Sequence, residues 1–539
     1  MKLAKSCAVA MAILSPALLM GTTYYASPSE GLDSTNDCLT RETAGNLKTA
    51  IDTAVKSADN EVVLLSGTYD CTPYATKTSY VNLRPTPFCF GNQNDTAEAY
   101  AINVRSESGN PADTILMGGG EGVQCSLLYF GKSGATNHLT GITIKDFFAR
   151  GHATADKQNY AGGAISQYRG TTFVSNCVFT SNGFLSPSGS GDTGGGAIFV
   201  NAGTFKCFDS LFEGNYAKST KGPADGGAVF FYHTVYTNEL RRCRFIGNFV
   251  SGDNAYGNYG GAVWNATDSV RSGIVRAYDC LFKDNYSTKG KNTAGGAIRN
   301  VECYGSRFDN NYATKNNGTT GIGSNAAFYD CVFENSTNEM FMLYSVKTVE
   351  RCTFRKCRRI GTGLTFKNCL ADTCYIHGGA NNAWSIFDNS TLINCTIVNS
   401  GGTCTRSDWQ AAPAYDCTIV NCVFSGNTNM TNKGTRGYDI SFGTANMTCS
   451  NTFYRAIYKN NTDLVNCTII TNAARQLRFK GTGDHPYAIK RNSDLVGAGI
   501  ASMWSDSDAD IIGKPRLRDG ECDVGCYQYW DTSFHLRLR

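Results

Sequence analysis

Charge is scarce in this chain. Charged residues make up 17% of its 539 positions, against roughly 25% in an ordinary soluble domain. The net charge is only +4, which leaves no electrostatic footprint for nucleic acid. There are 11 prolines, and the 58 glycines keep no three-residue period, so a collagen-like chain is excluded. Six histidines stand apart from any cysteine pair of zinc-site spacing. Five tryptophans are too few and too irregular for the blades of a propeller. No apolar run long enough for a membrane-spanning helix follows the N-terminus. What is plentiful is apolar and aromatic surface, 41% and 12% of the chain. That is enough to build a core and excludes disorder.

Lys2 and Lys5 precede an apolar run over 8–20, followed by Gly21-Thr22-Thr23. This reads as a secretory leader over 1–26, with an uncleaved anchor as the alternative. Export to the extracellular space or the cell surface is therefore expected. An even set of 22 cysteines after Cys7 invites disulfides in such a compartment. Cys177, Cys243, Cys280, Cys331, Cys352, Cys369, Cys395, Cys422 and Cys467 recur at one motif position. Stacked in register, their side chains would run parallel about 4.8 Å apart, a poor geometry for bonding. They read as a buried thiol ladder. Cys38, Cys71, Cys89, Cys125, Cys522 and Cys526 are the better disulfide candidates.

Two short motifs alternate. Gly-Gly-Ala-[Ile/Val] begins at Gly162, Gly195, Gly226, Gly260 and Gly295, in steps of 33, 31, 34 and 35 residues. Phe-x-x-Asn begins at Phe179, Phe212, Phe245, Phe282, Phe308 and Phe424. After 330 the cysteine-bearing strands recur in steps as short as 17. Strands of four or five residues, a minimum step near 20 and no helical period predict a stack of coils. The fold class is all-β: a single-stranded right-handed parallel β-helix. Leu47, Ile51 and Val55 give residues 43–57 the four-residue step of an amphipathic helix that caps the first coil. Residues 27–136 read as cap and irregular cysteine-containing region, with the first regular coil at His138–Ile144. The β-helix spans 137–490, with long-loop coils over 160–330 and short coils over 330–480. Residues 491–539 form a terminal capping segment.

Insertions follow Phe-x-x-Asn at 183–194, 216–225, 249–259, 286–294 and 312–323. They predict one loop-bearing face. Phe184, Tyr216, Phe249, Tyr286 and Tyr312 begin these loops and form a strip that either stacks on sugar rings or folds back on the cylinder. Arg241, Arg242 and Arg244, with Arg271 and Arg276 a coil later, are basic. On an alternating strand Arg242 and Arg244 share a face and would make an anion-binding patch; the alternative is a row of solvated edge residues.

Asp510, Gly513 and Arg516, then Asp523, Gly525 and Tyr527, resemble a D-x-x-G-x-x-R, D-x-G-A-Y-E motif that ends bacterial exported β-helix proteins. Cys526 and Gln528 replace the family's Ala and Glu. The resemblance implies a structural cap, with Arg516 and Asp523 as a buried ion pair. The alternating motifs over 160–430 resemble the repeats of polymorphic outer-membrane proteins, within the broader pectin-lyase-like superfamily. Those end in a membrane β-barrel. No run of barrel strands follows Trp530 here, so barrel anchoring is not expected.

Such folds often host polysaccharide lyases and hydrolases. No Asp-Asp pair, Gly-His-Gly or Trp-x-Asp-His occurs. His233 beside Tyr232 is the best lone candidate base. Asp506, Asp508 and Asp510 suit calcium by ligand type but lack the glycine and distal glutamate of an EF-hand loop, so no cofactor or metal is expected. The chemistry favours a non-catalytic, adhesin-like protein whose partner is a surface glycan or a protein. A lyase or hydrolase with an unrecognised site is the alternative, and a purely structural surface component is the third reading.

Overall fold

The computed structural model describes residues 21–530 apart from 32–34, 56–59, 77–78, 82–83, 87, 91–100, 152–160, 188–193, 233, 253–256, 267–272, 289–293, 314–320, 337–340, 379–384, 405–411, 432–433, 437, 442–447 and 459–462. Three long sheets, each wholly parallel, run along the molecule. Sheet 1 has 16 strands, from Thr23–Ala26 to Asp463–Val465. Sheet 2 has 15, from Gly67–Asp70 to Thr468–Ile469, and sheet 3 has 14, from Phe88–Phe90 to Ile457–Tyr458. A shorter sheet 4, from Phe148–Arg150 to Tyr312–Ala313, fills a fourth side of the long-loop coils. The chain is a parallel β-helix, right-handed as crossovers between parallel strands are. Among the described residues no helix is long and apolar enough to cross a membrane.

The coils start earlier than His138–Ile144. Glu61–Leu64 and Asn103–Ser106 already lie in sheet 1, and Gly67–Asp70 and Thr114–Met117 in sheet 2. The long stretch between the two coils hides their period in the sequence. Thr23–Ala26, at the end of the segment read as a leader, pairs in register with Glu61–Leu64. Helix α1, Leu47–Ala54, is capped by Asn46, whose side chain accepts a hydrogen bond from Thr49 N at 2.9 Å. It buries Leu47, Ala50, Ile51 and Ala54 and packs on the first two strands of sheet 1.

Register explains both motifs. The motif phenylalanines from Phe179 to Phe308, followed by Phe333 and Phe354, stack down sheet 2 with ring centres 4.8–4.9 Å apart and planes within 12°. The asparagines stack at the following corner. Asn215 Nδ2 donates to Asn248 Oδ1 at 2.9 Å, and Asn248 Nδ2 to Asn285 Oδ1 at 3.0 Å. Each of these oxygens also accepts the backbone N–H of the asparagine above. The ladder thus satisfies backbone groups that a bend leaves without a strand partner. It continues with Ser400, whose hydroxyl accepts Cys374 N at 3.1 Å, and Asn427, whose Oδ1 accepts Ser400 N at 2.9 Å. In the glycine motif the second residue admits no side chain: a Cβ on Gly227 would sit 1.9 Å from the Gly261 carbonyl oxygen of the next coil.

The cysteines do form an inward column before the strands of sheet 2, interleaved with Ser210, Ser306 and Thr452. Their thiols donate to main-chain carbonyls, as Cys243 Sγ does to Cys207 O at 3.4 Å. Burial pushes the Cys177 thiol up to about 12, so it stays neutral. Cys38, Cys71, Cys125, Cys522 and Cys526 are also free and buried. The disulfides expected of them are not formed: each thiol sits among apolar neighbours or main-chain carbonyls. The side chain of Cys89 lies outside the described residues.

After Ile470 the chain folds back along the outside of the cylinder. It covers Leu370, Val398, Val423 and Phe453, outward residues of sheet 2 that would otherwise meet water. Corner asparagines in the left-handed conformation receive it. Asn394 Nδ2 donates to Asp523 O at 2.8 Å, Asn368 Nδ2 to Ala509 O at 2.9 Å, and Asn421 Oδ1 accepts Ile500 N at 2.9 Å.

Candidate functional site

The loop-face strip differs from the expectation. Phe184 is 1% exposed, packed among Ala149, Ala161, Ala217, Ala224 and Val250. In register it pairs with Ala217, whereas Gly183 pairs with Tyr216. Phe184 therefore leaves the ligand face: it lies two residues past its asparagine, and the other four lie one past. Tyr216, Phe249, Tyr286 and Tyr312 do form one half-buried column on sheet 4. Their rings lie face to face at 5.5, 4.9 and 5.2 Å, within 16° of parallel. Faces that cover one another cannot stack on a sugar. Tyr216 OH and Lys218 Nζ each donate to Glu121 Oε1 at 2.9 Å. These two contacts hold the Glu121 carboxyl below its ordinary range.

The arginine patch is not assembled either. Arg242 is no strand residue but a corner with φ of 52°. It makes a two-pronged ion pair with Asp209 one coil earlier, at 2.6 and 2.8 Å. Arg244 lies on the next strand, exposed, in register with Leu211 and Leu281. Arg276 is paired with Glu302 at 3.0 Å, and Arg241 with Glu239. Arg271 and His233 lie outside the described residues. Tyr232 packs on Phe199 and Phe230.

Arg516 and Asp523 are both fully buried, but they are not an ion pair. Arg516 Nη2 donates to the carbonyl oxygens of Asp523 and Gly525, at 2.5 and 2.6 Å. The Asp523 carboxylate instead accepts Gly497 N at 2.8 Å and Tyr529 N at 2.5 Å. The motif shapes a loop that docks on the side of the cylinder. It leaves Val465 and Ile469 of the last coil about half exposed. The Asp506–Asp510 run folds on itself: Asp508 Oδ2 accepts Ser505 N, and Asp510 accepts Ile512 N, Lys514 N and Gln528 N. Among the described residues no group of three or more metal-ligating side chains is gathered.

A cleft that the sequence reading missed lies in this docked segment. Its volume is about 280 Å³, near the roughly 300 Å³ at which small-molecule sites begin. Lys480 and Lys490 come from the two arms of a hairpin, closed by Lys480 N to Ala488 O at 2.9 Å and Lys490 N to Arg478 O at 3.0 Å. Arg491 and His485 extend the same wall. Lys514 comes from the tight turn at Gly513, held by the Asp510 carboxylate at 2.8 Å. That carboxylate also holds Gln528 N at 2.9 Å, so one buried acid fixes a wall and the floor together. Tyr529 and Trp530 form the far wall, with Trp530 Nε1 donating to Pro515 O at 3.2 Å. On the floor Gln528 is 3% exposed. Its Oε1 accepts Asp523 N at 3.0 Å, while its Nε2 has no hydrogen-bond partner. Among the described residues no carboxylate lines the cleft. Four cations, two aromatic walls and an unmatched amide donor suit a ring-bearing anion.

No family model matches the chain, and no curated protein is similar to it in sequence. Solved structures of similar course include the pectate lyase Pel9A, at 12% identity over 94% of this chain and 96% of that one, with a TM-score of 0.30. The catalytic domain of a GH87 α-1,3-glucanase is 11% identical over 83% of this chain and 69% of its own, with a TM-score of 0.30. A rhamnogalacturonan lyase is 11% identical over 95% and 97%, with a TM-score of 0.19. At such scores the likeness carries no argument; the fold rests on the strand register.

Proposed function

We propose that this chain is an exported, non-catalytic β-helix protein that binds acidic glycans through the cleft of its C-terminal segment and so adheres to surfaces bearing them. A leader cleaved before Thr23 would leave the first strand of sheet 1, Thr23–Ala26, intact. One observation carries the reading: among the described residues, four cations and a buried amide whose Nε2 has no partner line one cleft together with Tyr529 and Trp530, and no carboxylate does. A uronate or sulfated sugar would place its anionic group among the lysines and its ring against Tyr529 and Trp530. Calorimetric titration of the full chain with an oligogalacturonate and with a neutral oligosaccharide of equal length tests it. Binding of the acidic ligand alone, weaker at high salt and lost in Lys490→Glu/Lys514→Glu, supports the proposal. Equal binding of both ligands, or unchanged binding by that variant, overturns it.

A second reading, hydrolysis, has one observation in its favour. Asp388 ends a strand of sheet 3 and Asp416 is the corner residue just after the paired strand Ala414–Tyr415 of the next coil, and burial raises the Asp388 carboxyl above its usual range against the pull of Arg359. Two carboxylates are what glycoside hydrolysis needs. Release of reducing ends from a polysaccharide, abolished in Asp388→Asn, would favour it.

A further inference from the structure

We infer that Cys449 and Cys467 form a disulfide under oxidising conditions, a covalent staple that joins the last coil to the coil before it. Most motif cysteines stack in one column with parallel side chains. These two belong to different columns. Cys449 points inward from sheet 1 strand Thr448–Ser450, and Cys467 sits at the corner of the following coil. Their side chains therefore converge, with Sγ–Sγ 3.4 Å apart. Bonding needs an approach to about 2.05 Å. The last coil can supply that movement, because sheets 1 and 2 end there, at Asp463–Val465 and Thr468–Ile469, with no described coil beneath.

Access points to the same pair. Every other cysteine whose side chain is described is buried; Cys467 alone is partly open to solvent. Its hydrogen bond with Cys449 lowers the Cys467 thiol to about 7, while that contact and burial push Cys449 up. Cys467 is thus the thiol that reaches the thiolate state and attacks first. The oxidant is a low-molecular-weight disulfide, RSSR, of the kind found where exported proteins fold. Cys467 sulfur, its proton released to water, attacks RSSR; a mixed disulfide forms and one RS⁻ leaves. Cys449 then loses its proton and attacks the Cys467 sulfur, displacing the second RS⁻. Two protein thiols are oxidised, and one RSSR is reduced to two RSH once the leaving thiolates take up the released protons.

The full chain is incubated with oxidised glutathione, alkylated, digested and mapped by mass spectrometry. The expected product is a cross-link between the peptides holding Cys449 and Cys467, two hydrogens lighter than their sum, with the buried motif cysteines still alkylated only after unfolding. Amide exchange over 463–470 should slow at least about tenfold on oxidation. Cys449→Ser, which leaves the attacking thiol in place, should accumulate a stable glutathione adduct on Cys467. Three results overturn the inference: Cys467 stays unreacted, Cys467 in the natural chain stops at the mixed disulfide, or Cys449 and Cys467 bond to other partners.

Discussion

Replacing Asn248 by alanine should destabilise the cylinder far more than one polar side chain ordinarily would. Asn248 Oδ1 accepts both N–H groups of Asn215, backbone at 3.0 Å and side chain at 2.9 Å. Its Nδ2 donates to Phe212 O at 2.9 Å and Asn285 Oδ1 at 3.0 Å. The site is fully buried, so water cannot replace these partners. One backbone N–H left wholly unpaired costs about 1–3 kcal/mol, and the three half-lost bonds add about 0.5–1 kcal/mol each. The sum is about 2.5–6 kcal/mol, the scale of a broken buried network. Serine, which the same column carries at Ser400 with its hydroxyl accepting Cys374 N, should lose about half as much. Exposed Asn310, changed to glycine to keep its φ of 51°, should move stability by less than about 0.5 kcal/mol. Urea unfolding of the four proteins gives the comparison. Native-state exchange localises it: the Asn215 amide should exchange at least about a hundredfold faster in Asn248→Ala. A loss below about 1 kcal/mol, or one equal to that of Asn310→Gly, would refute the idea that the ladder holds the corner.

Other consequences follow from single sites. Asp225 is fully buried, both its carboxyl oxygens lack partners, and burial raises it well above its usual range. The folded chain then holds a proton that the unfolded chain releases near pH 4. Asp225 thus destabilises increasingly as pH rises from about 4 through its folded value. Asp225→Asn should flatten that decline and raise the urea midpoint at pH 7, and an unchanged pH profile would contradict it. Gly227→Ala, with its Cβ 1.9 Å from a carbonyl oxygen, should cost more than about 3 kcal/mol. Gly247→Ala, at φ 62° with nothing within 4 Å, should cost only about 1–2 kcal/mol; equal losses in thermal melts would contradict the packing argument. Phe184→Ala should lose about 3–5 kcal/mol as a core truncation and leave acidic-glycan affinity unchanged by calorimetry.

Most of the scaffold was legible in the sequence because coil stacking repeats its demands. Phe179 and Asn182 recur as Phe212 and Asn215 since each must face its own kind one coil away. Ser210 and Ser306 interrupt the cysteine ladder because the corner accepts a small side chain that can donate to a carbonyl. Phe184 was misplaced by one residue. Gly183, directly after its asparagine, holds the column position that Tyr216 holds in the next coil, and a missing side chain gives no signal. Arg242 was read as a strand residue, yet its neighbours along the column, Asp209 and Asp279, are polar residues in the same left-handed bend. The cleft was hidden for a different reason. Its walls come from Lys480, Lys490 and Lys514, in a segment without repeats, and the fold-back onto corner asparagines brings them together. Only the basic clusters at Arg478-Phe479-Lys480 and Lys490-Arg491 hinted at it.

The most direct test of the proposed role is amide exchange of the full chain with and without saturating oligogalacturonate. Slower exchange over 480–491 and 512–530, with no change along the Tyr216–Tyr312 column, is the predicted result. Protection on the loop-bearing face with none in the C-terminal segment, or no protection anywhere at saturation, would contradict it.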